Sequence, residues 1–420
     1  MDAQTITAGK STENPNTLSL FKNKNFLLAW ISNIFTGIAS AVYLLSESWY
    51  VVKHLNLGAS LGLVLMMTAI PRFLLMPFGG VLADRIQKKH IMFFSDATRS
   101  LLLVLMIICL VYESLSFTAM LIFALIFGIL EAFYWPAASS IIPTIVHETQ
   151  LAQANSIIQI TQQVCSLGGP MIAGIFLTLG SFHMLFAVIA ILLFFGAFLV
   201  LFLQRSNTVT ENTLEESPSF LQEWNEGFSF VKNSSFITAL LVTVTLGGFF
   251  LTGPLSVTIP LLATSVLKGN ALTLSFLETS ISVGMFLGAL VVAGIKLKKK
   301  RALIATSSLA FCGIFVLLLG LTNQLILIML LLGLIGIVVT FSNIFFITLL
   351  QEKTPVDKLG RVMSLVTAAT TGLLPISYAV ITLLLNSGTP FSLLLFIFGG
   401  IVTLFCCCLI IFVKVVRTTD

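Results

Sequence analysis

Charge is what this chain has least of. Its 420 residues include 22 Lys and Arg and 17 Asp and Glu, 9% of the total, where a water-soluble domain carries roughly 25%. So few charges cannot cover a surface that faces water, so most of the surface must face lipid. Other scarcities exclude whole classes of function. No glycine-rich loop ends in Lys-Ser or Lys-Thr, which argues against direct driving by ATP. The four His (His54, His90, His147, His183) fall at the ends of apolar runs, too scattered for a metal site, and nothing calls for a cofactor. The six Cys (Cys109, Cys165, Cys312, Cys406, Cys407, Cys408) lie within apolar runs, where disulfides are not expected; the last three suit lipid-facing filler better than palmitoylation. No repeated filter sequence or ring of charge marks a channel, and no catalytic signature marks an enzyme.

Apolar residues are plentiful: they make up 57% of the chain, with 36 Phe and a mean hydropathy of +1.05. A helix needs about 20 apolar residues to cross a bilayer, because every backbone polar group must be bonded within the segment. Twelve such stretches are expected, near 26–50, 60–83, 89–111, 116–141, 154–180, 182–204, 236–263, 272–295, 301–321, 324–349, 362–386 and 391–414. The fold class is therefore an all-α membrane protein. With a cytoplasmic N-terminus, eighteen of the 22 Lys and Arg fall on the cytoplasmic side; the exceptions are Lys53, Lys268, Arg72 and Arg99. That asymmetry obeys the positive-inside rule and places both termini in the cytoplasm. It also explains the net charge of +5 without nucleic acid. No cleaved secretory signal is expected, since the first 25 residues are polar and the apolar run after them is long.

The most polar interior stretch, from Gln204 to Asn233, separates six spans from six. The division is thus a tail over 1–25, a bundle over 26–204, a cytoplasmic linker over 205–235 with an amphipathic stretch from Ser219 to Val231, a second bundle over 236–414 and a tail over 415–420. The halves repeat weakly. Leu82-Ala83-Asp84-Arg85-Ile86-Gln87-Lys88-Lys89 corresponds to Val292-Ala293-Gly294-Ile295-Lys296-Leu297-Lys298-Lys299, 210 positions on, and Leu151 to Ser156 corresponds to Leu359 to Ser364, 208 positions on. Two six-helix halves in parallel repeat are a transporter architecture.

Gly79-Gly80-Val81-Leu82-Ala83-Asp84-Arg85-Ile86-Gln87-Lys88-Lys89 is the most specific segment. Gly80 suits a close approach of two helices. Asp84 ends its span where a carboxylate can face a helix N-terminus, and Arg85, Lys88 and Lys89 suit the headgroup surface. The segment resembles the signature between helices 2 and 3 of the major facilitator superfamily. The resemblance implies two bundles of six helices and a conformational latch built on Gly80, Asp84, Arg85, Lys88 and Lys89, with Asp96, Arg99 and Arg361 beside it. In the second half Gly294 stands where the aspartate would be, so the halves are expected to differ in function.

Gly168-Gly169-Pro170-Met171-Ile172-Ala173-Gly174 resembles the glycine-proline motif of exporters and antiporters in that superfamily, with Gly169, Pro170 and Gly174 its core. Proline removes a backbone donor and bends the helix, and the glycines suit close packing between the halves. Phe133-Tyr134-Trp135-Pro136, Gln351-Glu352-Lys353 and Leu359-Gly360-Arg361-Val362-Met363-Ser364-Leu365, with Glu278, are similar to the macrolide-efflux branch of drug:proton antiporters, which includes siderophore exporters. The implied function is export of small, mostly apolar molecules from a prokaryotic cytoplasm in exchange for protons, by a monomer in the cytoplasmic membrane. A dedicated siderophore or metabolite exporter is the alternative. Nutrient uptake is disfavoured by the glycine-proline motif, and a receptor without transport is more distant. The chain departs from many drug:proton antiporters in having no Lys or Arg between Phe117 and Ile145, so a proton relay must use other groups.

Ionisable groups inside a span cost roughly 2.5–3.5 kcal/mol each at its centre, which makes each a functional candidate. Glu47, Arg72, Glu131 and Glu278 are the candidates for coupling or substrate contact. Counting about 1.5 Å per residue, Arg72, Arg99 and Glu131 fall at one depth, roughly 15–18 Å from the cytoplasmic ends, so Glu131 can pair with either arginine. Asp96 and Arg99 are one turn apart and can pair along their helix. Of the aromatics, Phe133, Tyr134, Trp135, Phe249 and Phe250 are candidate cavity walls, while Trp49 and Tyr50 suit an interfacial belt.

Overall fold

A computed structural model describes residues 20–179, 181–204, 229, 232, 234–295 and 300–412. Among them are twelve helices long and apolar enough to span a membrane: α1 (Lys24–His54), α2 (Gly58–Ala83), α3 (Lys88–Val111), α4 (Phe117–Ile145), α5 (Thr149–Leu179), α6 (Phe182–Leu201), α7 (Phe236–Val266), α8 (Ala271–Gly294), α9 (Arg301–Leu319), α10 (Leu325–Lys353), α11 (Arg361–Asn386) and α12 (Phe391–Ile411). Most of the linker, including the amphipathic stretch apart from Ser229, lies outside the described residues, as do the two tails.

Several helices outrun their apolar stretches. α5 begins at Thr149, five residues before the expected start, because Leu151-Ala152-Gln153-Ala154 continues the helix through its polar first turn. α10 likewise runs on through Gln351-Glu352-Lys353. The bonding is local to the helix and does not stop where the hydrocarbon stops. At the start of α1, the Asn23 side chain accepts from the Asn25 and Phe26 amides at 3.0 and 3.2 Å, and its amide donates to the Ile145 carbonyl at 2.7 Å. One residue thereby satisfies orphan amides of one helix and an orphan carbonyl of another.

Helices within each half approach along small residues, as expected where lipid removes the hydrophobic drive for association. A Cβ on Gly128 of α4 would run into the Thr68 backbone of α2; one on Gly284 of α8 would run into Gly333 of α10. The repeat is most distinct at one end of the bundle. α1 finishes in a π-helical turn, Tyr50–His54, and α7 in another, Leu262–Val266, 212 positions later. Each is closed by a residue in the left-handed region, Asn56 (φ 54°) and Lys268 (φ 45°). The closing bonds match too, Leu55 N to Tyr50 O and Leu267 N to Leu262 O, both 3.0 Å.

Call the end carrying residues 20 and 412 the tail end, and the other the far end. Contacts between the halves run from mid-depth to the far end. Gly58 meets Leu261, Gly62 meets Tyr378 and Thr382, Gly174 meets Ser275, and Phe73 meets Gly372 at mid-depth. Ser282 of α8 donates to the Ser166 carbonyl of α5 at 3.4 Å. α11 breaks at Leu373, just before Pro375, and Thr371 and Leu374 on either side of the break face the interior.

Candidate functional site

Between the halves lies a cavity of about 610 Å³, walled by α1, α2, α4, α5 and α11. Its polar lining includes Glu47, Arg72, Glu131, Gln162, Thr367 and Tyr378, set among Phe73, Phe127 and Trp135. Four of these helices carry proline at or beside this depth: Pro71, Pro136, Pro170 and Pro375. Proline removes a backbone donor and frees the carbonyl four residues earlier, which loosens helix geometry where a cavity must form.

Three ion pairs form one chain from the interior of the first six helices to this cavity. Asp96 of α3 accepts from Thr36 of α1 at 2.6 Å and pairs with Arg99 one turn on. Arg99 Nη1 lies 3.6 Å from Glu131 Oε1 on α4, and Arg72 Nη1 of α2 lies 3.5 Å from Glu131 Oε2. Glu131 therefore turns one oxygen to each arginine, which is possible because all three sit at one depth. The chain grades from sealed to open: the side chains of Asp96 and Arg99 are 0% and 2% exposed, that of Glu131 16%, that of Arg72 48%. Arg99 also lies over the Tyr134 ring, 5.0 Å from its centroid, a contact that suits a desolvated guanidinium. Two buried charges held by several partners survive burial that would expel a lone one.

Glu47 of α1 is different. It lines the cavity, is 1% exposed, and accepts from Tyr43 Oη at 3.1 Å. The Tyr43 ring is fixed by stacking on Phe127, centroids 4.3 Å apart and planes 3° apart. Among the described residues no Lys, Arg or His lies within ion-pair distance of Glu47.

Other candidates lie apart. Glu278 is half-buried on α8, outside the cavity wall, and its carbonyl accepts from Ser282 at 3.2 Å. Gly80 meets nothing, and the close approach falls one residue earlier, where a Cβ on Gly79 would meet the Ala132 carbonyl of α4. Helical periodicity allows only one of two adjacent glycines to face a given neighbour. The Asp84 side chain lies outside the described residues. Arg85 is exposed, Lys88 opens α3, and Lys89 donates to the Leu203 carbonyl at 3.0 Å, tying α3 to the end of α6. Arg361 opens α11. In the glycine-proline motif of α5, Gly169 packs on Ala41 of α1 within one half, whereas Gly174 meets Ser275 across the halves. Tyr134 is taken up under Arg99, Phe250 packs on Phe398, and only Trp135 of the expected aromatic walls lines the cavity. Trp49 and Tyr50 are buried, not set in a belt, because the π-helical turn carries Tyr50 against Phe182 and its hydroxyl donates to the Leu115 carbonyl at 2.9 Å.

Twelve spans around a central cavity with intramembrane charges describe a transporter, and comparison fixes which kind. The model of the Major Facilitator Superfamily matches residues 29–377. The chain belongs to that superfamily. Macrolide efflux protein A of Streptococcus pyogenes is 25% identical over 342 residues, 81% of this chain and 84% of that one. Enterobactin exporter EntS of Shigella dysenteriae is 26% identical over 308 residues, 73% of this chain and 72% of that one. Among solved structures, nucleoside transporter NupG superposes with a TM-score of 0.70 at 13% identity, covering 92% of this chain and 98% of the other. This major facilitator is a membrane transporter and not an enzyme.

Tyr43 and Thr36 went unmarked in the sequence although both hold a carboxylate. Tyr43 stands four residues before Glu47, a spacing that puts the two on one helix face. Thr36 gives no such signal, since its partner lies on another helix.

Proposed function

We propose that this transporter exports small, mostly apolar molecules across the cytoplasmic membrane of a prokaryote by alternating access, in exchange for protons. The observation that carries this reading is the central cavity, mostly apolar at drug-like size, with two carboxylates of the first half, Glu47 and Glu131, in its wall. Positive charge concentrated on the tail side supports a cytoplasmic position for that end. Contacts between the halves from mid-depth to the far end then correspond to a cavity served from the cytoplasm, the loading state of an exporter. Rocking of the halves, with the latch at Asp84 biasing which side is open, carries the cargo outward. Protonation of Glu131 or Glu47 ties the cycle to the proton gradient. Efflux is what the names of the macrolide and enterobactin relatives state for those proteins.

A second reading, a dedicated exporter of an anionic siderophore or metabolite, is favoured by Arg72, the cationic group of the cavity wall, whose side chain is 48% exposed. The test is efflux of ethidium and of a macrolide from energised cells and inverted vesicles, with and without a protonophore, in wild type, Asp84→Asn and Glu131→Gln. Gradient-dependent efflux lost in both variants is expected. Well-expressed wild type that moves no tested drug would overturn the broad drug reading in favour of the anionic one.

A further inference from the structure

The turns at the far end hold two of the chain's Lys and Arg residues, Lys53 and Lys268. Both line a single recess of about 620 Å³ between the halves at that end. Lys53 lies in the π-helical turn that ends α1, next to Trp49, and Leu177 and Thr178 of α5 complete the first half's wall. The loop from Lys268 to Asn270, with the start of α8, forms the second half's wall. No carboxylate lines the recess, and it shares no lining residue with the central cavity. Among the described residues neither lysine lies within ion-pair distance of a carboxylate. Two cations brought into one space from opposite halves repel each other when that end closes. Lys268 is also an unexpected choice for its backbone. The left-handed position is best tolerated by Gly or Asn; Asn56 fills it in the first repeat, and Lys268 at φ 45° in the second. α8 begins at Ala271, so the positive end of its dipole abuts the same space.

We propose that this recess binds one phosphate-bearing anion, bridged between Lys53 and Lys268, and that its occupancy holds the far end closed. Phosphate suits two walls better than carboxylate does. Its oxygens diverge and can meet ammonium groups from opposite sides, whereas a carboxylate presents both oxygens along one edge. An anionic lipid headgroup and free phosphate share this chemistry, and Trp49 and Leu177 add an apolar wall suited to the glycerol end of a lipid. When the halves separate at the far end the two lysines part with them, and the site is lost. Binding and closure are therefore linked, each favouring the other to the same degree. The site depends on charges at the far end alone, so it stands for any cargo, with or without proton coupling.

The test uses full-length protein in two settings. One is nanodiscs of phosphatidylcholine with or without phosphatidylglycerol; the other is detergent with inorganic phosphate titrated against chloride at constant ionic strength. Spin labels at exposed Tyr112 and Asn323, in far-end turns of the first and second half, read the far-end separation by pulsed dipolar spectroscopy in a background without cysteine. Phosphatidylglycerol or phosphate should shift wild type about fivefold or more toward the short distance. Lys53→Gln or Lys268→Gln alone should weaken the phosphate response at least about tenfold, and the two together should abolish both responses. Lys22→Gln, at the tail end, should respond as wild type does. By native mass spectrometry, wild type should retain one more phosphatidylglycerol than the doubly substituted protein. A response to phosphatidylglycerol alone would identify a lipid headgroup and a response to phosphate in detergent a free anion, and either supports the site. A doubly substituted protein that still responds, a response lost in Lys22→Gln, or a wild type that neither binds nor responds to either anion would overturn it. Retention that depends on both lysines with no change in distance would overturn the link to closure.

Discussion

A methyl group at Gly62 would act as a wedge between the halves at the far end while leaving each half's own packing alone. A Cβ built there lies 2.6 Å from the Tyr378 carbonyl oxygen of α11 and against the Thr382 hydroxyl. Thr382 can rotate, but the carbonyl is fixed by its helix. Ordinary contact is about 3.5 Å, so about 0.9 Å must be found. Overpacking of this size costs about 1–3 kcal/mol in a rigid interior. Here the strain exists only while the far end is closed, and separating the halves relieves it. Alanine's better helix propensity acts in both states and drops out of the equilibrium between them. Gly62→Ala should therefore shift the populations by roughly 5- to 150-fold toward the state open at the far end. Spin labels on exposed Ser139 of α4 and Lys353 of α10, in a background without cysteine, would report the tail-end separation by pulsed dipolar spectroscopy. A growing short-distance population is expected in Gly62→Ala. A distribution that superimposes on the background, in protein with an unchanged melting temperature, would refute rocking about this contact.

Two further outcomes follow from single residues. Arg99→Gln should destabilise the purified protein by about 3–5 kcal/mol, because it leaves Asp96 and Glu131 without their shared partner in a buried place; adding Asp96→Asn should recover part of the loss, and additivity of the two in thermal melts would refute the coupling. Lys268 sits at φ 45°, where a residue with a Cβ carries about 1–2 kcal/mol of strain; Lys268→Gly should raise the melting temperature and Lys268→Val lower it, and the reverse order would show the turn does not hold this geometry in solution.

The twelve spans were legible because hydrocarbon allows no unbonded backbone, so composition alone marks each crossing. Helix ends were less legible, since Thr149 to Ala154 is polar enough to look like a loop yet extends α5. The charge chain was partly readable. Depth counting put Arg72, Arg99 and Glu131 in one layer, and one-turn spacing joined Asp96 to Arg99, but only the packing of α2, α3 and α4 brings both arginines to one carboxylate. Residue type and depth say which groups are able to meet, whereas helix rotation decides which do. The same rotation separates Gly79 from Gly80, and puts Trp135 on the cavity while Tyr134 lies beneath Arg99. Glu47 and Glu131 illustrate the consequence: depth offered Glu131 either arginine and Glu47 none, and the packing brings both arginines to Glu131 while Glu47 is set beside aromatic rings. Within this set the carboxylate met by two cations is Glu131 and the one met by a phenol is Glu47, a difference that depth alone does not show.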